Sequence, residues 1–538
     1  MARLFAPRYN DGPGIAPQTY PSRLVFPMRY GFVIDQDRCI GCHACTVACK
    51  EEHQVPVGVF RTWVKYIEKG EFPHTRRHFG VLRCNHCEDA PCVEICPTVA
   101  LHHRPDGIVD FDNRRCIGCK SCMQACPYDA LYIDPNTMTA AKCNFCAHRV
   151  ENHIEPACVI VCPTQAIIAG DLDDPSSRIS RIVATGKVSV RKPQKGTQPK
   201  LFYVGIEGDL LQPTRLSRQD GYVWSEQRKG AVPVATQAAS GAAFDPGVTR
   251  EVYDVAHPAP WGPMIGAYLW TKSIAAGALI VAAVLAAWGG AAASTSLTNV
   301  VSPLIALVAL AVTSALLIFD LKRPERFFYL LTKPNFKSWL VIGAWILMAY
   351  GALGFAWLVL GFFTGAVPSV LAWSAAAFGV ASACYSAFLF AQARGRDLWQ
   401  SPIFLWHLFA QACVAGSGAV LFAAVAIGAA SGFIRHTEIV LLVSVSASLA
   451  MILLEAALPP VSQDVKLAHR VLLHGRLARR FWGLAIVVGS VVPIVLAALV
   501  VLYGAGDIAA ILAALLALAG VWWFDHLWVE AGQSVPLS

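Results

Sequence analysis

The sequence predicts two unlike parts in one chain: an α+β cysteine-rich domain, then an all-α eight-helix transmembrane bundle. Three observations predict it. Sixteen of the 18 cysteines lie before residue 163. Residues 259–538 carry only 14 of the 44 Lys+Arg and 9 of the 36 Asp+Glu. That second half is mostly Ala, Leu, Val, Ile, Gly and Trp, and it holds eight apolar runs long enough to cross hydrocarbon as helices. A length of 538 residues exceeds one ordinary domain, and 55% hydrophobic content with mean hydropathy +0.48 excludes a disordered chain. A secreted disulfide scaffold is excluded because such scaffolds are short and lack long apolar runs. The net charge of +8 sits largely in short loops between apolar runs. A nucleic-acid partner would need a clustered basic face, so none is expected; the lipid bilayer is.

Residues 1–27 are expected to form an N-terminal arm. Pro7, Pro13, Pro17, Pro21 and Pro27 punctuate it, and an extended strap and a disordered tail fit equally. It shows neither an apolar signal region nor a twin-arginine pair, so no export signal is expected.

Residues 28–205 contain the sixteen cysteines in four groups. Cys39, Cys42, Cys45 and Cys49 are spaced C-x2-C-x2-C-x3-C. Cys84, Cys87, Cys92 and Cys96 are spaced C-x2-C-x4-C-x3-C. Cys116, Cys119, Cys122 and Cys126 repeat the first spacing, and Cys143, Cys146, Cys158 and Cys162 are spaced C-x2-C-x11-C-x3-C. A cubane iron–sulfur cluster takes four thiolates. Cysteines three apart on a tight loop can aim three of them at one cube, with the fourth beyond the loop. Pro97, Pro127 and Pro163 follow the last cysteine of their groups. Structural zinc would use two separated C-x2-C pairs. Groups two and four can be bent to that reading; groups one and three, with four cysteines in eleven residues, cannot. Short strands are expected at Gly31–Ile34, Gly107–Phe111 and Ala130–Ile133, with Asp37, Asp112 and Asn113 as turn residues. The recurring DxxxCIGCxxC, from Asp35 and from Asp112, reads as an internal repeat.

The segments CIGCHACTVACKEEHQVP, CNHCEDAPCVEICP, CIGCKSCMQACPYDA and CNFCAHRVENHIEPACVIVCP resemble the four-cluster iron–sulfur subunit of the dimethyl sulfoxide reductase and polysulfide reductase family. The resemblance implies a double-ferredoxin-like iron–sulfur domain with four [4Fe-4S] clusters. It implies crossed ligation: Cys39, Cys42 and Cys45 with Cys162; Cys143, Cys146 and Cys158 with Cys49; Cys84, Cys87 and Cys92 with Cys126; Cys116, Cys119 and Cys122 with Cys96. It puts the Cys39 cluster nearest a separate molybdopterin-containing catalytic subunit and the Cys116 cluster nearest the membrane.

Residues 206–258 are expected to be a linker. Residues 259–538 follow as the membrane part, with spans near 264–288, 297–319, 338–361, 366–391, 402–430, 437–458, 481–503 and 508–528. Twelve of the 14 basic residues lie in the loops after the second, fourth and sixth runs, and the opposite loops carry only Arg435. The positive-inside bias then puts the cysteine domain and the C-terminus on the cytoplasmic side of a multi-pass protein of the cell (inner) membrane. Docking of the cysteine domain would explain the same basic loops. DLKRPERFFYLLTKPNFKSWLVIGAW (Asp320–Trp345) and PWGPMIGAYLWTKSIAAGA (Pro260–Ala278) resemble the NrfD/polysulfide-reductase-type quinone-binding anchor. That resemblance implies a quinone ligand and no haem.

A quinone site needs hydrogen-bond donors and a proton route beside a cluster. Tyr268 and Lys272, four apart on the first span, share a helix face. An intramembrane lysine is a functional candidate, and snorkelling to the interface is its bland alternative. Tyr385 falls where the family's quinone-contacting tyrosine falls, or packs as an ordinary helix tyrosine. His257 is a proton shuttle or a surface histidine, His407 a relay or a satisfied core residue, and Glu455 a relay carboxylate or an interfacial anchor. Trp261, Trp270, Trp339 and Trp399 are expected in the interfacial belt, and Cys384 and Cys413 as small buried hydrophobes. The leading functional expectation is an electron-transfer and quinone-anchoring subunit of a molybdopterin oxidoreductase. A redox-driven ion-translocating module would ask for several buried carboxylates, of which the sequence shows Glu455 alone. Four clusters are excessive for a sensor.

Overall fold

The computed structural model describes residues 28–70, 73–218, 249–288 and 296–538. The expected arm at 1–27 lies outside the described residues, as does 219–248 of the expected linker.

The α+β part is built from small sheets rather than one large one. β1 (Tyr30–Asp35) is central in a three-stranded sheet, between antiparallel β8 (Ile167–Asp171) and parallel β9 (Leu201–Val204). β2 (Thr62–Lys69) and β3 (Arg76–Arg83) pair antiparallel from Thr62↔Arg83 to Lys69↔Arg76. Two three-residue hairpins, β4 (Leu101–His103) with β5 (Val109–Phe111) and β6 (Leu131–Ile133) with β7 (Ala140–Lys142), flank the third cysteine group. The strands expected at Gly31, Gly107 and Ala130 are therefore present. Part of the expected linker is structured: β10 (Ser217–Arg218) and β11 (Arg250–Tyr253) extend the β2–β3 sheet. Buried Lys65 of β2 pairs with Glu251 at 2.5 Å and Asp254 at 3.1 Å, which anchors that return. A turn signal in the linker could not reveal a strand whose partner lies nearly 200 residues earlier.

Among the described residues, eight helices are long and apolar enough to cross a membrane: Pro263–Trp288, Leu297–Phe319, Trp339–Thr364, Ser369–Ala391, Ile403–Ala426, Ser431–Ala457, Ala478–Tyr503 and Asp507–Gln533. The first and fifth are the inner spans, 78% and 67% buried over their most apolar windows, while the second, third and sixth are 28% buried. Helices are the form such segments must take, because lipid offers no partner for backbone N–H and C=O.

The basic loops dock the cysteine domain. After the second span, the Arg326 guanidinium donates to the Asn113 and Cys116 carbonyls at 2.7 and 2.9 Å, and Arg323 Nε donates to Thr137 O at 2.8 Å. Lys322 N and Arg323 N donate to Gly118 O and Ile117 O. Asn335 Nδ2 donates to Cys96 O at 2.8 Å, and Ser338 Oγ to Ile95 O at 2.7 Å. After the fourth span, Arg394 bridges Asp89 and Glu94, and Arg396 Nε donates to Gln124 Oε1 at 2.9 Å. Docking thus accounts for much of the loop charge that membrane topology was asked to explain.

His257 sits at this junction, with Nδ1 2.8 Å from Asp129 and Nε2 3.7 Å from Asp254. Burial pulls its pKa down, but Asp129 and Asp254 outweigh burial and hold it up at about 10. A folded-state pKa raised above the unfolded value contributes stability that is complete below the unfolded 6.5 and is lost as pH rises through about 10. Thermal melts of the wild type should therefore decline over that window, and His257→Gln should flatten the decline. Equal slopes in both proteins would rule the linkage out.

Candidate functional site

All four cysteine loops take positive φ two residues after their first cysteine, at Gly41, His86, Gly118 and Phe145. In groups one and three the tight turn needs positive φ twice, at Gly41 and His43 and again at Gly118 and Lys120, all between 60° and 70°. The same backbone recurs at matching positions, so the DxxxCIGCxxC repeat is one of structure. Ala44–Glu52 then turns helical and carries the third and fourth thiols of group one, while Ser121–Ala125 carries the third of group three and ends at Cys126.

The thiols meet across groups. Burial raises the Cys39 thiol, which has Cys162 and Cys42 beside it, and burial raises Cys45, whose neighbouring thiols are Cys158 and then Cys39. Cys49 is raised by burial first, then by Cys143, Cys158 and Cys146. Cys92 is raised by burial, then by Cys126, Cys84 and Cys87 among others. Cys122 is raised by burial, then by Cys119, Cys116 and Cys96. The thiols beside Cys39, Cys49, Cys92 and Cys122 thus include cysteines of other groups.

Neighbouring polar groups fit an anionic, sulfur-rich occupant. Arg83, fully buried at the end of β3, donates from Nη1 to Cys158 Sγ at 3.0 Å, while its Nε and Nη2 have no hydrogen-bond partner among the described residues. Burial opposes its charge, but Cys158, Cys143 and Cys45 more than offset that and raise its pKa. A guanidinium left two donors short in the interior implies an acceptor beside it. Ala140 N and Ala166 N donate to Cys116 and Cys162 sulfurs at 3.4 and 3.3 Å, and His53 Nε2 lies 3.2 Å from Cys146 Sγ. These are the contacts that ligating thiolates take from their surroundings.

A cavity of about 390 Å³ opens where the third cysteine loop meets the bundle. Its wall is mainly apolar, from the first, second, third and fourth spans, with Cys119, Tyr268, Ser314, Asp320 and Tyr385 as polar members. Trp261 roofs it, stacked on Trp399 at 5.2 Å, and its Nε1 donates to Cys119 O at 3.3 Å. Lys120 of the cysteine loop holds Asp320 at 2.9 Å. A Cβ at Gly343 would lie 2.1 Å from the Tyr385 ring, so only glycine lets that ring reach the cavity.

Of the residues expected from sequence, Tyr268 and Tyr385 line this cavity. Lys272 stands behind them. Its ammonium lies 4.8 Å from the Tyr385 ring centroid and donates to Ala383 O at 3.0 Å and Ser386 Oγ at 2.5 Å. It is fully buried, so it does not snorkel. His257 lies outside the lining, locked between its two aspartates. His407 is buried with Nε2 3.1 Å from Ser448 Oγ. Trp261 and Trp399 are not belt residues: both are buried, because they form the seam between the bundle and the cysteine domain. Cys384 and Cys413 are half-buried rather than core residues. Glu455 is not the lone candidate carboxylate. Glu438 and Asp525 are buried in the bundle, with Asp525 Oδ1 accepting from Gln411 at 3.0 Å. Asp320, inside a quoted motif, carried a signal that was available; Arg83, beside Cys84, carried none beyond its position.

Residues 251–536 match the family described as polysulphide reductase, NrfD. Residues 76–172 match a 4Fe-4S dicluster domain, and residues 30–51 a 4Fe-4S binding domain. The first half is 45% identical over 202 residues to the B subunit of tetrathionate reductase from Salmonella typhimurium, covering 37% of this chain and 80% of that one. It is 44% identical over 189 residues to the NrfC protein of Escherichia coli, covering 34% and 85%. It is 34% identical over 227 residues to the arsenate respiratory reductase iron-sulfur subunit ArrB of a Shewanella species, covering 33% and 96%.

Proposed function

The chain belongs to the polysulphide reductase NrfD family, here fused to an iron–sulfur domain, and on that premise we propose that it is the electron-transfer and quinone-binding membrane subunit of a molybdopterin oxidoreductase complex. The observation that carries the reading is the cavity shared by Cys119, Tyr268 and Tyr385. It joins the last thiol set to a mainly apolar chamber inside the membrane part.

The sixteen cysteines hold four [4Fe-4S] clusters in the crossed sets 39/42/45/162, 143/146/158/49, 84/87/92/126 and 116/119/122/96. When bound, the clusters supply one-electron conduction. The chain's own residues do the rest. The apolar wall takes the quinone ring and tail, and Tyr268 and Tyr385 supply hydroxyl donors for its oxygens. Quinone reduction to quinol takes up two electrons and two protons, and Asp320 at the domain junction is placed to pass the protons. Lys272 stands behind Tyr385, donating to Ala383 O and Ser386 Oγ, and fixes the position of that ring. The docked face is the cytoplasmic one, where a separate molybdopterin subunit meets the Cys39 set. Electrons then run from substrate to quinone, as in a dehydrogenase; quinol oxidation by the same site would serve a terminal reductase.

A naphthoquinone analogue titrated into the purified, cluster-loaded chain tests this. Tyr385→Phe should weaken binding by about 10-fold, the size of one lost hydrogen bond to a polar ligand. Gly343→Val, which drives a side chain into the Tyr385 ring, should abolish it. Equal binding by all three proteins contradicts the site.

The buried Glu438 and Asp525 favour a second reading, a redox-driven ion-translocating module. In proteoliposomes, Asp525→Asn would then stop quinone-linked proton movement while leaving analogue binding intact.

A further inference from the structure

A second cavity, of about 780 Å³, lies between the cysteine domain and the loops of the basic face. Lys192 and Arg215 come to it from the first half of the chain, and Asp397, Ser462 and Asp464 from the loops after the fourth and sixth spans. None of its residues belongs to the cavity of Tyr268 and Tyr385.

Two independent features point to a ligand. First, Lys192 is only 6% exposed, and its ammonium has no hydrogen-bond partner among the described residues. A buried ammonium without an acceptor is unfavourable and normally finds one. Burial, then Arg191, Lys195 and Arg396, hold its pKa down at about 7 against the opposing pull of Asp464. Nearby charge is therefore in positive excess. Second, the helix Gln463–Leu473 begins at this cavity with Ser462 as its N-cap. A helix start presents N–H groups and the positive end of the helix dipole. The two carboxylates do not fill the role of counter-ion. Asp397 is engaged by Lys195 and by Ser462 Oγ, 2.6 Å away. Asp464 makes no hydrogen bond to the Lys192 ammonium among the described residues, and burial pushes its carboxyl pKa up.

We propose that this cavity binds a phosphate group, held by the Lys192 ammonium and the start of the 463–473 helix. A compact anion with several acceptor oxygens matches a point charge opposite a helix N-terminus. The cavity lies against the loops that face the membrane surface, so the group can arrive on an anionic phospholipid or as free phosphate. The shared chemistry is the same.

The test uses delipidated, cluster-loaded, full-length protein. Inorganic phosphate is titrated by calorimetry, and retention of phosphatidylglycerol against phosphatidylcholine from nanodiscs is read by native mass spectrometry. Lys192→Met should weaken binding by about 10- to 100-fold, which corresponds to one charge-assisted hydrogen bond, and Lys192→Arg should restore most of it. Lys192→Met should also melt no earlier than wild type without phosphate, because an unpaired buried charge is gone, and should lose the phosphate-induced rise in melting temperature. Phosphate binding without lipid preference identifies the free anion. Selective retention of phosphatidylglycerol that excludes inorganic phosphate identifies the lipid. If Lys192→Met does not fold, Arg215→Gln carries the same titration and should weaken binding several-fold. Absence of binding by wild type to either probe, or equal binding by the Lys192→Met and wild-type proteins, overturns the proposal.

Discussion

Cys119→Ser should reduce quinone-linked electron flow by about 100-fold or more, since even an outer-shell change around a metal centre costs 10- to 100-fold. The reason is position. Cys119 is the thiol that lines the cavity, and its carbonyl takes the Trp261 hydrogen bond that closes the roof. Serine keeps the backbone turn and removes the soft ligand. The effect should therefore appear as loss or conversion of one cluster signal in electron paramagnetic resonance, with the other three unchanged. The measurement is reoxidation of chemically reduced protein by a naphthoquinone analogue. Wild-type reoxidation rates in a variant that has lost that signal would mean electrons reach quinone by another route.

Arg83→Met should lower the reduction midpoint of the centre at Cys158 by on the order of 100 mV, the scale of a unit charge acting over several ångströms at an effective dielectric of about 20. The sign follows from charge. Reduction adds an electron to an already anionic group, and a fixed guanidinium touching Cys158 favours the more negative state. Removing it favours the oxidised state. The side chain also stacks over Phe32, with its guanidinium carbon 4.6 Å from the ring centroid, so methionine preserves much of the packing. Arg83→Lys should recover part of the shift, because it keeps the charge but not the fork. A potentiometric titration showing no shift, or an upward one, in protein with full iron content would remove Arg83 from the account.

Much of this was legible in the chain because it is local. Cysteines three apart, a proline after the last of them, and apolar runs of about 20 residues are each set by covalent neighbours. Tyr268 was legible for the same reason, being one helical turn from the intramembrane Lys272. What was not legible depends on packing between distant segments. Nothing near Arg250–Tyr253 announces a strand, because β2 that receives it was made far upstream. Trp261 and Trp399 have the composition of belt residues, and only the docked cysteine domain turns them into a buried seam. Glu438 and Asp525 look like ordinary polar breaks in apolar runs until neighbouring spans close around them. Lys192 sits in a loop of ordinary composition, and it is buried where a loop from the far end of the bundle, at Ser462–Asp464, closes over it.

In the proposed function, sixteen cysteines hold four clusters that lead to the cavity at Tyr268 and Tyr385. Iron and acid-labile sulfide in anaerobically purified chain test it most directly. Four cubanes require about sixteen of each per polypeptide, four for every cubane. About half that number, or zinc in place of iron, would contradict it.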